Sequence, residues 1–170
     1  MSGGQTMTLR ILALALCLLP AGFTATYADD DGDEGEHGGR RAALVVTDPL
    51  TKTECSACHM AYPAALLPAR SWTALMADLP NHFGEDASLD EASRAQIESY
   101  LVANAADSSG AGRALRGLAQ TDTPLRISEL PWFKRKHADE VSPRMLEKAR
   151  SMSNCAGCHT GAERGLFDDD

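Results

Sequence analysis

Residues 55–59 read Cys55-Ser56-Ala57-Cys58-His59, and residues 155–159 read Cys155-Ala156-Gly157-Cys158-His159. Cys-x-x-Cys-His is the attachment pattern of a c-type haem. Two copies in 170 residues predict two covalently bound haem c groups. The spacing has a physical reason. On a short helix, positions i and i+3 share a face and i+4 lies beside them. Cys55 and Cys58 then reach the two vinyl groups along one porphyrin edge, and His59 turns its imidazole onto the iron. Cys155, Cys158 and His159 repeat the arrangement. Ser56, Ala57, Ala156 and Gly157 are small, which lets the ring lie close to the backbone. A zinc site or a thioredoxin-like Cys-x-x-Cys uses the same residue types. A His directly after each second Cys, twice, with Cys17 as the only other Cys, argues against both.

The start of the chain reads as an export signal. Arg10 precedes an apolar run, Ile11 to Leu19, then Pro20 and Gly22, then Thr26-Tyr27-Ala28 as a cleavage site. That run is too short to span a bilayer; the opposing reading is an uncleaved anchor. Cleavage near Ala28 removes residues 1–28 and Cys17, and places the mature chain in the periplasm. All four remaining cysteines go to haem, so no disulfide is available. A small exported chain without disulfides needs another source of stability, and two buried porphyrins supply it.

The whole chain has 16 Lys+Arg against 24 Asp+Glu. Without residues 1–28 the balance is 15 against 24, a net −9. This argues against a nucleic-acid partner. It is compatible with docking to a basic surface and equally with plain solubility.

Residues 29–41 are rich in Gly and acids and read as a disordered leader. The first haem-binding half spans 42–104, a Gly-, Ser- and Thr-rich linker 105–124, and the second half 125–170. Ser71 is placed to cap a helix carrying Trp72, Leu75, Met76 and Leu79 at helical spacing, which Pro80 ends. Ser88-Leu89-Asp90-Glu91 matches a capping box. The helix after it runs to about Ala103, with Ala92, Ile97, Tyr100 and Leu101 on its buried stripe. Ser128 is placed to cap a helix ending at His137, and Ser142-Pro143 starts another. The expected fold is mainly α with much irregular structure. The mature chain of about 142 residues is enough for one compact body or two small halves; a single globule of that length has a radius of gyration of roughly 14 Å, and two porphyrins inside it lie near each other.

Each iron has one more axial position, and its occupant decides function: an open site does chemistry, a filled one passes electrons. The spare histidines are His37, His82 and His137, with His37 in the leader the weakest. The spare methionines are Met60, Met76, Met145 and Met152. Met60 adjoins His59 and cannot reach the opposite face, Met76 fits its helix stripe, and Met145 and Met152 are placed to pack on the second porphyrin. His82 lies 23 residues after His59, and His137 lies 22 before His159. The expectation is two histidines on each iron, His82 with the first haem and His137 with the second; crossed pairing stays open. Such ligation gives low reduction potentials, because a thioether favours ferrous iron.

The stretches ECSACHMAYPAALLPARSW, HFGEDASLD, LRISELPWFKRKH and NCAGCHTGAERGLF resemble the small bacterial dihaem cytochrome c family, over about residues 50–168. The resemblance implies a first half like class I cytochrome c, a second half wrapped around its haem, and bis-His ligation. It carries His59 and His159 over as proximal ligands, with His82 and His137 as distal ones. It also implies two partners, a soluble oxygen-binding cytochrome c (the sphaeroides haem protein) and a membrane cytochrome b. The sequence thus reads as an electron carrier, not an enzyme. The rival is a dihaem peroxidase or sulfur-compound dehydrogenase, for which the chain is short. A gas sensor would want an output domain that the sequence lacks.

Overall fold

Prolines and short polar caps decide where the helices of this chain begin. The computed structural model describes residues 44–108 and 112–167. The signal of 1–28, the leader of 29–41, Cys17 and His37 lie outside the described residues. Helix α1 (Pro49–Cys55) has proline in its first turn. Its cap is Asp48, whose carboxylate accepts from the Thr51 amide at 2.7 Å and the Thr51 hydroxyl at 2.8 Å.

After a 3₁₀ turn at Ala64–Leu66 comes α2 (Ala69–Ala77). It starts two residues before Ser71, the expected cap, because Pro68 breaks the preceding chain and takes the cap position. Ser71 is instead fully buried in the first turn. The turn Leu79–Asn81 contains Pro80 and closes the helix region, as a proline predicts. Helix α3 (Glu91–Ala103) is capped by Asp90, which accepts from the Ala92 and Ser93 amides at 3.1 Å each. Ser88, the expected cap, turns to Asp86 instead. Ala92 falls in the exposed first turn, outside the buried stripe of Ile97 and Leu101.

In the second half, Ser128 sits inside a 3₁₀ turn, Ile127–Glu129, and caps nothing. Helix α4 (Pro131–His137) begins at Pro131, whose fixed φ suits a first helical position. Helix α5 (Pro143–Ala149) matches its sequence signal: the Ser142 hydroxyl accepts from the Met145 amide at 3.3 Å. The described residues hold no strand, only an antiparallel bridge between His82 and Glu85. The fold is mainly helical with much irregular structure.

Trp72 and Met76 of α2 pack against Ile97 and Leu101 of α3. The Trp72 indole N–H is satisfied by the Ala64 carbonyl at 2.9 Å. Leu130 and Phe133 from the second half join this same cluster, Leu130 with no exposure at all. Residues 105–108 and 119–122 pack back against α2 and the chain just before it. The Ala106 amide reaches the Leu67 carbonyl, Asp107 accepts from the Ala69 amide, and Arg70 donates to the Asp122 and Ala119 carbonyls.

Candidate haem centres

The first motif straddles a helix end rather than lying on a helix. Cys55 is the last residue of α1, Ser56 is its cap, and His59 follows in a turn. The second motif is a 3₁₀ turn, Cys155–Gly157, with the His159 amide bonded to the Cys155 carbonyl at 2.8 Å. Gly157 fits closely there. A side chain would meet the Asn154 amide nitrogen at 3.0 Å and Ala149 Cβ at 3.2 Å.

The structure brings His82 opposite His59, their ring centres 6.2 Å apart and their planes 23° from parallel. It brings His137 opposite His159 at 6.3 Å, with the planes at 88°. An imidazole–metal bond is about 2.0–2.1 Å and the ring centre lies about 1.1 Å beyond the nitrogen, so two imidazoles on opposite sides of one metal atom sit about 6.2–6.4 Å apart. Both pairs have that separation. His59 Nδ1 donates to the Met60 carbonyl at 2.7 Å, and His137 Nδ1 to the Phe133 carbonyl at 2.9 Å. A carbonyl only accepts, so the proton sits on Nδ1 and Nε2 keeps its lone pair for a metal. Burial, then the neighbouring His59 and Arg126, push His82 below its ordinary pKa.

His82 and His137 are positioned differently. His82 opens a two-residue turn closed by reciprocal bonds with Glu85, at 2.8 and 3.2 Å. Its central residues, Phe83 (φ 56°) and Gly84 (φ 102°), both have positive φ, as a tight hairpin turn of this kind requires. Glycine takes this freely and phenylalanine does not. The Arg126 guanidinium, from the second half, stands 3.8 Å above the Phe83 ring and holds it. His137 ends α4, with its ring stacked on Phe133 one turn earlier at 3.9 Å.

The second pair faces a cavity of about 900 Å³, walled by Cys155, Cys158, Met145, Leu146 and Met152 among others. Trp132, in the same wall, has a buried indole N–H with no protein acceptor. The donor set, the two ring separations and this cavity fit a haem. Cys55, Cys58 and His59 could hold one with His82 facing, and Cys155, Cys158 and His159 the other with His137 facing. Burial, then Glu54, pushes the Cys55 thiol up to about 11, and burial raises Cys155 as well. That is opposite to the activated thiolate of a redox Cys-x-x-Cys. Among the described residues, no group of three His, Cys, Asp or Glu is placed to hold a metal ion alone.

Tyr62 joins the two centres. Its ring stacks on His59 at 4.8 Å, and its hydroxyl donates to the Ser153 carbonyl at 2.6 Å, two residues before Cys155. Burial pushes its phenol up to about 12, so it stays protonated and donating. Sequence reading missed Tyr62 and Arg126. Phe133 was legible in principle, since it lies four residues before His137 on one helix face.

Two Cys-x-x-Cys-His turns, each with a histidine facing the motif's own, define a small helical c-type cytochrome with two haem sites. The family model for dihaem cytochrome c matches residues 51–167, and the chain belongs to that family. It carries two covalently bound haem c groups. The solved diheme cytochrome c from Rhodobacter sphaeroides is 97% identical, with 74% of this chain and 100% of that one covered and a TM-score of 0.72. DHC purified from Rhodobacter sphaeroides is 88% identical, with 73% and 100% covered and a TM-score of 0.65. The diheme cytochrome type c from Shewanella baltica OS155 is 45% identical, with 71% and 86% covered and a TM-score of 0.58. No curated protein sequence matches significantly.

Proposed function

We propose that this chain is a periplasmic one-electron carrier whose two irons are each closed by two histidines. His59 and His82 hold the first, His159 and His137 the second. The observation that carries this reading is the pair of 6.2 and 6.3 Å imidazole separations. Haem iron supplies reversible one-electron chemistry, and the protein sets potential, access and docking. Here the chain's part is to fill both axial positions with neutral imidazoles, which leaves no place for a substrate and favours low potentials. Tyr62, touching His59 and bonded to Ser153, keeps the two centres in contact through one side chain.

The haem-binding halves are 42–104 and 125–170, joined by 105–124, and the mature chain begins near residue 29. No helix among the described residues is long and apolar enough to cross a membrane. The family resemblance supports a membrane cytochrome b as electron source and a soluble oxygen-binding cytochrome c as acceptor. Stopped-flow mixing of the dithionite-reduced chain with the purified oxygen-binding cytochrome tests this. Reduction of the acceptor within the mixing transient is expected. No transfer over many seconds would overturn the assignment.

A further inference from the structure

Charge is divided unevenly between the two haem-binding halves. Residues 42–104 hold three Lys/Arg against eight Asp/Glu, a net −5, whereas residues 125–170 hold eight against eight, a net 0. The carboxylates of two haems add equally to both and leave the difference intact. In the first half two of the three basic residues are already engaged: Arg94 pairs with Glu91 and Glu98, and Arg70 with Asp107, leaving Lys52 exposed. The second half has no such quenching at its distal ligand. Lys134, Arg135 and Lys136 immediately precede His137 on α4, all three are exposed, and none forms an ion pair with a described residue. At the first distal ligand the sign is reversed, with exposed Glu85 and Asp86 just after His82 against a single cation, Arg126 over Phe83.

We propose that the exposed face of α4 is a docking surface for an electron-transfer protein with an acidic rim. This rests on the electron-carrier reading above. A partner of that charge is drawn to the second haem and turned away from the first, so its electron crosses at the second haem alone. The second iron gains or loses one electron as the partner's centre does the opposite. Charged rims act chiefly on encounter rate and orientation, and their effect fades with salt. A protein suits this face better than an anionic membrane. Membrane-binding clusters hold about four to eight basic residues, whereas this one has three and runs straight into exposed Asp139 and Glu140.

The test is stopped-flow oxidation of the reduced full-length chain by ferricyanide, an anion, and by tris(phenanthroline)cobalt(III), a cation. The variant is Lys134→Ser/Arg135→Ser; Lys136, which lines the second cavity, is left in place. At low ionic strength the variant should react several-fold more slowly with ferricyanide and no more slowly with the cobalt complex. The gap should close in high salt. A second variant, Glu85→Gln/Asp86→Asn, should slow the cobalt complex and not ferricyanide. An unchanged ferricyanide rate in the first variant would overturn the docking face. Sedimentation with phosphatidylglycerol vesicles, lost in that variant, would assign the face to a membrane and also overturn it. Slow oxidation of the unaltered chain by both reagents would instead sink the electron-carrier reading itself.

Discussion

Around His59 the chain builds a core of protein, with Trp72, Met76, Ile97 and Leu101 packed between α2 and α3. Around His159 the described residues bury little of their own: Ala149 and Ala162, with Leu130 and Phe133 inserted into the first half's cluster. Met145 and Leu146 stay 43% and 39% exposed on the wall of the second cavity. A segment this short cannot bury enough apolar surface alone and needs a staple. The first half folds around side chains and receives a haem; the second folds around its haem. The same motif thus does two structural jobs in one molecule.

The largest consequence is for attachment. Cys155→Ser/Cys158→Ser should abolish amide protection in α4 and α5 while α2 and α3 keep most of theirs, read by hydrogen exchange. Cys55→Ser/Cys58→Ser should leave α2 and α3 substantially protected. Equal loss everywhere in both variants would erase the distinction. Next in size is the plug that joins the halves. Leu130→Ala removes a fully buried side chain and should cost about 2–5 kcal/mol in guanidinium unfolding. A cost below about 0.5 kcal/mol, the range of surface changes, would mean the halves fold independently.

Acid should separate the halves further. Asp48 and Asp90 cap α1 and α3, and hydrogen bonds from Thr51 and Ser93 hold both carboxylates below the ordinary value. Their stabilisation is therefore complete above the unfolded carboxylate pKa of about 3.9 and is lost as pH falls through the lower folded values. Helix α5 is capped by a hydroxyl and has no such dependence. Hydrogen exchange on lowering the pH below about 4 should open the ends of α1 and α3 before that of α5; the reverse order would contradict the capping roles.

The smallest effect is spectroscopic. The imidazole planes stand 23° apart at the first site and 88° at the second. Near-parallel planes give a rhombic low-spin signal in electron paramagnetic resonance, and perpendicular planes a strongly anisotropic one with a large maximum g. One signal of each kind is expected from the oxidised protein, and two of the same kind would remove the difference.

Much of this was legible in the sequence because haem attachment is local: five consecutive residues carry it, twice. Ser142-Pro143 was equally readable, since cap and proline agree. Ser71, Ser88 and Ser128 were misread for one reason. A serine two or three residues from a stronger signal loses to it: Pro68, Asp90 and Pro131 set the starts instead. Two features had no local signature. Leu130 entering the other half's core depends on long-range packing, and Arg126 over Phe83 depends on a turn whose positive φ at a phenylalanine no pattern announces.

The central claim is that both irons are closed by histidine, and carbon monoxide tests it most directly. The absorption spectrum of the fully reduced protein should not change when the gas is added. His82→Ala and His137→Ala should each gain the shift of one haem. A rapid, stoichiometric shift in the unaltered protein would mean an open iron, and would contradict the account.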